Sequence, residues 1–459
     1  MPTVAMTTLG CAKNLVDAEN MLGLLRQAGF TVGAAADEAD VIIVNTCGFL
    51  QSAAEESLEA IREMARLKKE GGPRALVVAG CLAQRERGAI IERIPAVDAV
   101  VGTGDFGRIA EIALEALGRA EGAERAEARV VVVGRPRRQW TEEYPRELSA
   151  HGGSAYLKIA EGCDNACAFC TIPRLRGPQS SRPIESVVRE ARNLAAAGVR
   201  ELVLVAQDTT AYGTDLSKDG RPLLAQLLRR LAGAEGVEGV EWIRLLYGYP
   251  SRFNDELIDT MAEIPKVVKY ADIPLQHVSD RLLRLMGRPG DASAYRELLR
   301  RLRRRIPGVA LRTTFIVGLP GETDAEFEEL LEFVGSERLE RVGAFTYSPE
   351  PETRAAASPD QVPSEIKEER YRRLMEKQQA ISLAKNRKLI GVELPVLIEG
   401  FSAESRRVLM GRHQGQAPEV DGNVYVANRL VPAGTICRAR VIKAYPYDLV
   451  AEAVGEDAS

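Results

Sequence analysis

Nowhere does this chain approach the roughly 18 uninterrupted apolar residues that a membrane-spanning helix needs. Its opening, Met1 to Gly10, also lacks a basic region followed by a long apolar run, so a cytoplasmic protein with no membrane partner is expected. Cysteine is sparse. Seven in 459 residues, an odd number thinly spread, do not make a secreted disulfide framework, and reduced thiols available to metal fit better. Positive charge is not in excess either: the net charge of -4 gives no global field to draw the protein to nucleic acid, although local basic patches stay open. The length suggests about three domains, each large enough to bury its own core.

What cysteine there is falls in a pattern. Cys163, Cys167 and Cys170 are separated by three and then two residues, directly after the apolar run Ala155 to Ala160, so one tight loop at a strand end gathers three thiolates. Structural zinc takes four ligands, usually in paired C-x2-C units, and no fourth Cys or His follows within a finger's reach of Cys170. A cube of four irons accepts three cysteines and leaves one iron open to a substrate. A zinc knuckle or a packed group of reduced cysteines are the alternatives. The spacing resembles that of the radical S-adenosylmethionine (SAM) enzymes. The resemblance implies that the open iron chelates the amino and carboxylate groups of SAM and that Phe169, before the third cysteine, lies against the adenine.

Residues 1 to about 118 alternate short apolar strands with helical patterns. Val4 to Leu9, Val41 to Val44 and Ala75 to Ala79 read as buried strands, and Leu15, Ala18, Met21, Leu22 and Leu25 recur at helical spacing. Ser52-Ala53-Ala54-Glu55 has the form of a capping box opening a helix that runs to about Lys69. Such alternation predicts a parallel, doubly wound sheet. Cys11, Cys47 and Cys81 each sit just past a predicted strand. The carboxyl ends of the strands share one edge in such a sheet, where these folds bind ligands, so three thiols distant in sequence are expected side by side. Each also precedes a helix, whose N-terminal dipole favours the thiolate. One or two could be packing cysteines, but three at equivalent positions point to a second iron-sulfur cluster.

The segment Thr8-Leu9-Gly10-Cys11-Ala12-Lys13-Asn14-Leu15-Val16-Asp17-Ala18-Glu19 resembles the opening motif of the methylthiotransferases, whose amino-terminal domain binds an auxiliary cluster through three such cysteines. Its Cys-Ala-Lys-Asn-Leu-Val-Asp form is similar to the branch acting on ribosomal protein S-twelve, whereas the tRNA branches usually show Cys-Gln-x-Asn. Ala18 stands where that family has Ser, which removes only a hydroxyl.

Residues 119 to 150, with Val130 to Val133, Pro136-Arg137-Arg138 and Tyr144-Pro145, read as a linker. Six strand-helix units follow, with strands near 155-160, 201-206, 242-247, 270-275, 311-317 and 342-347 and amphipathic helices such as Ile184 to Ala197 and Phe253 to Ile264. They predict a partial (βα)6 version of the eightfold barrel, with its site at the strand carboxyl ends. Two further strand ends face the same mouth. Gly318, Gly321 and Glu322 lie in a stretch resembling the glycine-containing SAM-contact motif, which is equally an ordinary turn and helix cap at Thr323 to Glu326. Gln207 and Asp208 end the second strand with polar groups suited to SAM, though Asp208 could equally cap a turn. His277 reads as structural, and the run Arg300 to Arg305 as the solvated face of a helix.

Ser364 to Leu389 predicts a charged helix leading out of the barrel, and five short strands beyond it predict a small β-barrel like the TRAM domain of the methylthiotransferases. Cys437 falls inside one of those strands as a core residue. The expected architecture is therefore α/β: a doubly wound domain at 2-118 with the auxiliary cluster, a radical SAM core at 149-380 and a TRAM-like all-β barrel at 383-452. Residues 391-459 hold seven Lys/Arg against nine Asp/Glu, a balance of -2, which suits a basic protein partner better than tRNA.

The chemistry implied by the resemblance is insertion of a methylthio group at an unactivated C-H bond, which needs a radical and hence a cofactor. It implies two 4Fe-4S clusters, one on Cys163, Cys167 and Cys170 that cleaves SAM, and one on Cys11, Cys47 and Cys81 that presents sulfur, the two facing across the substrate. A reducing electron donor of the flavodoxin or ferredoxin type is implied too. The target in the matching branch is the β-carbon of an aspartate in ribosomal protein S-twelve of the small subunit. A tRNA adenosine methylthiotransferase is the nearest alternative. A non-catalytic iron-sulfur carrier or scaffold comes from another class and conflicts with the open-iron spacing.

Overall fold

Val41–Thr46 and Ala75–Gly80 are buried along their whole length, which a strand tolerates only when both faces of its sheet are covered. They are β3 and β4 of a parallel six-stranded sheet, with β1 (Thr3–Thr8), β2 (Thr31–Val32), β5 (Ala99–Val101) and β6 (Val130–Val132), in the order β2-β1-β3-β4-β5-β6. The faces alternate with the pleat. Ile43 and Val77 pack with Met21, Leu25 and Ile112 of the helices Ala12–Gln27 and Ile109–Glu121. Ile42, Val44, Leu76 and Val78 pack on the other side with Leu58 and Ile61 of the helix Gln51–Lys69.

The structure is a computed structural model that describes residues 1–121, 129–136, 144–149 and 152–455; Arg137, Arg138, Glu456 and Asp457, which entered the reading of the sequence, lie outside them. The chain forms two compact bodies. The first comprises Met1–Ser149, Ala160–Asn165 and Cys170–Ser181, the second Ala150–Ile159, Ala166–Phe169 and Arg182–Ser459.

Two local expectations for the first body are corrected. The helix Gln51–Lys69 is capped by Leu50 without a side-chain hydrogen bond, so Ser52 lies inside its first turn and forms no capping box. The stretch expected as a linker contributes β6, because the three valines extend the sheet edge by pairing in parallel with β5.

In the second body, β7 (Ser154–Lys158), β10 (Glu201–Val205) and β11 (Trp242–Leu245) form one parallel sheet, and β12 (Tyr270–Asp272), β13 (Ala310–Val317) and β14 (Arg341–Thr346) another; the numbers between belong to the short strands β8 (Ala160–Glu161) and β9 (Ser180–Ser181) of the first body. A parallel bridge from Ile243 to Val267 continues the first sheet towards β12. Helices Ile184–Ala196, Leu224–Ala232, Asp255–Glu263, Ala292–Arg305 and Asp324–Glu337 alternate with these strands, giving a partial (βα)6 barrel. The last of them opens on a full capping box between Thr323 and Glu326. The arginine run is a solvated face: Arg301 and Arg305 pair with Asp255, Arg303 with Glu337 and Arg304 with Glu297.

After the helix Ser364–Arg387, strands β15 (Glu393–Ser402), β16 (Ser405–His413), β17 (Val424–Val426), β18 (Ile436–Ala444) and β19 (Leu449–Ala453) close into a barrel in the order β15-β16-β17-β19-β18. Cys437 packs half-buried against its core. This barrel is joined to the foot of the (βα)6 strands by buried charges. Arg412 donates to Glu201 at 2.6 Å and to Glu399 at 2.7 Å, and Arg244 donates to Glu201 at 2.7 Å and to the Gln414 carbonyl at 2.8 Å.

Candidate iron-sulfur centres

The helix after β1 packs on one face of the six-stranded sheet and the helix after β3 on the other, so the chain reverses its winding between these adjacent strands. A crevice opens outside the strand ends at such a point. Cys11 follows β1 as the residue preceding the helix Ala12–Gln27, Cys47 follows β3, and Cys81 follows β4 as the first residue of the helix Cys81–Glu86. Glycine beside each cysteine lets the three loops crowd together. A Cβ on Gly10, whose φ is +93°, would meet Cys47 Cβ at 2.7 Å, and one on Gly48 would meet the Leu82 backbone at 2.8 Å. Asn14 ties two loops by donating to the Leu9 carbonyl at 2.6 Å and the Thr46 carbonyl at 3.3 Å, while Asn45 donates back to the Asn14 carbonyl at 2.8 Å.

The expected acidification of all three thiols is found only at Cys11. The protein around that thiol pushes its pKa up even though the residue keeps solvent access, but the Lys13 and Arg176 cations and the Asn14 and Lys13 N–H groups outweigh this and leave it lowered. At Cys47 burial wins and the pKa is raised; at Cys81 burial pushes it up to about 11. A helix dipole is a smaller effect than full desolvation of a thiolate. A metal bound by these thiols would have to displace protons, as metals do at thiol sites generally.

One residue that the sequence reading missed lies among these thiols. Arg176, 3% exposed, donates from Nε to Cys81 Sγ at 3.2 Å, from Nη1 to Asp17 and, at 3.3 Å, to Glu161, and from Nη2 to Asn14 Oδ1 at 3.1 Å. Burial disfavours its charge, but the Cys81 sulfur and the Glu161 and Asp17 carboxylates beside it more than offset this and hold its pKa well above the usual value. No motif marked it. It stands six residues after Cys170 in Ile172–Arg176, a segment whose pattern signals only a short helix.

The loop of Cys163, Cys167 and Cys170 leaves β8 and returns to β9, which pair antiparallel. Cys163 and Cys170 belong to the first body. There Gly162 has a φ of +80° and room for no Cβ, since one would fall 2.0 Å from the Pro178 carbonyl oxygen, and Cys163 N–H donates to the Gly177 carbonyl at 3.0 Å. Cys167 and Phe169, each partly exposed, belong to the second body. Arg288, also missed in the sequence, donates to Cys167 Sγ at 3.7 Å and to the Pro274 carbonyl at 2.7 Å, and stacks 4.4 Å from the centre of the Tyr249 ring.

The other residues expected to touch SAM lie just past carboxyl ends of the parallel strands, with structural tasks of their own. Asp208 is buried and caps the turn Thr209–Ala211, accepting from Ala211 N–H at 3.1 Å, Thr210 Oγ1 at 2.6 Å and Arg252 at 2.6 Å. Gln207, beside it, is half-buried. Gly318 and Gly321 both have a φ of +73°, and the space a Cβ on Gly318 would need is taken by Lys367. Glu322 is buried and accepts from the N–H groups of Gly318 and, at 2.9 Å, Leu319, holding that turn closed. His277, fully buried, accepts at Nδ1 from Ser279 N–H at 3.0 Å.

All six loop cysteines are free thiols. Among the described residues no three His, Cys, Asp or Glu side chains converge on one point as a mononuclear site requires. A four-iron cube takes one thiolate per iron and so holds its ligands further apart. The donor set of thiols with a buried cation beside it fits such a cube.

Residues 157–334 match the radical SAM superfamily, residues 390–454 the TRAM domain, and residues 3–102 a family described as uncharacterized protein family UPF0004. Over 456 residues the chain is 50% identical to the ribosomal protein uS12 methylthiotransferase RimO of Anaeromyxobacter sp. (strain K), a match spanning 99% of this chain and 94% of that protein.

The chain belongs to the RimO family of methylthiotransferases. RimO proteins of Trichlorobacter lovleyi and Myxococcus xanthus are 46% and 48% identical over 453 and 449 residues, covering 98% and 91% of their lengths and 99% and 98% of this chain. Among solved structures, the radical SAM methyltransferase TsrM of Kitasatospora setae, with cobalamin and a 4Fe-4S cluster bound, aligns with a TM-score of 0.55 over 86% of this chain and 80% of its own, at 17% identity. That is a likeness of fold alone. As a radical SAM enzyme of the RimO family, the chain is a transferase that works with an iron-sulfur cluster and SAM.

Proposed function

We infer that this protein adds a methylthio group to ribosomal protein uS12, the S-twelve protein of the small subunit, at the β-carbon of an aspartate. The observation that carries the reading is the match to RimO along almost the whole of both chains, with a thiol at each of the six positions the chemistry needs. Two 4Fe-4S clusters are proposed: one on Cys163, Cys167 and Cys170, the other on Cys11, Cys47 and Cys81. When bound, the first supplies the electron that cleaves SAM and the second supplies sulfur.

The chain's own residues do the holding. Gly10, Gly48 and Gly162 allow the thiol loops to close, Asn14 ties the loops after β1 and β3, and Arg176 and Arg288 each donate to one ligand sulfur. Phe169, Gln207, Asp208, Gly318, Gly321 and Glu322 are assigned to the SAM site, the last three through the shape of the β13 turn. Residues 2-118, 149-380 and 383-452 are assigned as auxiliary-cluster domain, radical SAM core and TRAM domain. No helix of the described residues is long and apolar enough to cross a membrane. A ribosomal target supports a cytoplasmic setting. A flavodoxin or ferredoxin type of donor would reduce the clusters.

Charge supports a protein substrate over tRNA. Of the seven cations in the last barrel, Arg412 is buried and Arg438 and Arg440 pair with Glu393, so three of the seven are already engaged within the fold. The test is anaerobic iron analysis followed by incubation with SAM, reductant and either uS12 or tRNA, with mass analysis of both. About eight irons and a methylthio gain on uS12 are expected. A gain on tRNA instead would overturn the substrate.

A further inference from the structure

Resting on the assignment of Cys11, Cys47 and Cys81 to a cluster, we propose that Arg176 is a positioning residue for it, orienting the Cys81 thiolate and setting the reduction potential of the iron held there.

A guanidinium is planar, and its N–H directions are fixed relative to one another. In Arg176 the two terminal nitrogens are anchored by Asp17, Glu161 and Asn14, which come from the helix after β1 and from β8. Those anchors leave Nε–H aimed at Cys81 Sγ, 3.2 Å away. The sulfur is thus held by a donor whose direction is set elsewhere in the fold. Such outer partners orient metal ligands, and hydrogen bonds to the sulfurs of an iron-sulfur cluster, with the charge around it, tune its potential.

The sign follows from the charges. Arg176 is a buried cation beside a thiolate ligand, and reduction adds a negative charge to the cluster, so the guanidinium favours the reduced form. Asp17 and Glu161, whose side chains are only 6% exposed, oppose it. Lys13, buried at the same edge, acts mainly on Cys11. Removing the Arg176 charge therefore lowers the potential, and neutralising Glu161 raises it. A residue that merely filled space would produce no such pair of opposite shifts.

The experiment uses the full chain with Cys163→Ala, Cys167→Ala and Cys170→Ala, which retains only the second set of ligands. Iron content, the paramagnetic resonance spectrum of the dithionite-reduced protein and a potentiometric titration are compared with and without Arg176→Gln, Arg176→Lys and Glu161→Gln. About four irons are expected in the triple-alanine background. Arg176→Gln is expected to cut the reduced-to-oxidised ratio at fixed potential at least tenfold, a 59 mV fall for a one-electron couple. Glu161→Gln shifts the ratio the other way, and Arg176→Lys, which keeps the charge but loses Nε–H, alters the spectrum with a smaller shift. If Arg176→Gln fails to hold iron, Arg176→Lys and Glu161→Gln decide. Iron present with an unmoved potential and spectrum in these variants overturns the role of Arg176 alone. No iron in the triple-alanine background overturns the cluster assignment and the proposal with it.

Discussion

Arg412 Nη2 lies 2.6 Å from Glu201 Oε2, and neither side chain has more than 1% of its surface in water. The pair joins residues 211 apart in sequence, and Arg244 completes it from the neighbouring strand β11. Burial would push the Glu201 carboxyl up, but Arg412 and Arg244 outweigh it and hold the pKa at about 2.

Glu201→Gln takes the carboxylate from between two buried arginines, of which Arg412 keeps Glu399, and is expected to cost about 3–5 kcal/mol of stability. Denaturant unfolding of anaerobic protein measures it, and a loss under about 1 kcal/mol would show the network to be dispensable. Because the folded pKa is depressed, the contribution of Glu201 is complete above its ordinary value of 4.5 and fades as pH falls from there towards 2.

His413 gives a second and separable pH effect. Burial, with Arg341, Arg244 and Arg412 nearby, lowers its pKa to about 3, and its Nδ1 accepts from Gly415 N–H at 3.1 Å, which requires the neutral ring. The unfolded chain takes up this proton below the ordinary value of 6.5, so stability is full above that pH and falls below it. The slope reaches at most about 1.4 kcal/mol per pH unit. Between pH 7 and 5 the parent should lose more stability than His413→Gln; parallel profiles would contradict the assignment.

Single cysteines separate the two proposed clusters. Cys163→Ala should abolish SAM cleavage, while Cys11→Ala should spare cleavage and stop sulfur transfer, each binding about four irons instead of about eight. Intact methylthiolation in Cys11→Ala would remove the auxiliary role from that thiol.

Glycine substitutions test the loop geometry without touching a ligand. Gly162→Ala places a methyl 2.0 Å from the Pro178 carbonyl oxygen at a φ of +80°, so iron held by Cys163, Cys167 and Cys170 and SAM cleavage should both be lost. Gly118→Ala is the control. In the helix Ile109–Glu121 it meets no described residue within 4 Å, and a gain of about 0.5–1 kcal/mol is expected. Equal behaviour of the two variants would refute the steric account.

Much of this was written in local pattern. The buried run Val41–Thr46, the alternating helices and the punctuated strands of the last barrel all declare themselves within a few residues, and so do the cysteine spacings. The errors lie where local pattern misleads. Ser52 looks like a cap, but the helix begins one residue before it, and Val130–Val132 is too short a run to announce the strand it forms by pairing with β5. The missed residues, Arg176 and Arg288, owe their positions to partners far along the chain, 95 residues away at Cys81 and 121 at Cys167. No window of sequence contains such a pair. The residues proposed for SAM differ again: Asp208, Gly318 and Glu322 stand out in the sequence, but hydrogen bonds and packing within the fold already account for their chemistry.

The antiparallel pairing of Ala160–Glu161 with Ser180–Ser181 ties the cysteine loop at its neck. With its ends joined by the fold, the loop has no closure cost left to meet on binding a ligand, a cost that otherwise grows with the logarithm of its length. Were a cluster held by this loop to be lost, the paired strands at the neck would still keep its two ends together for another to bind.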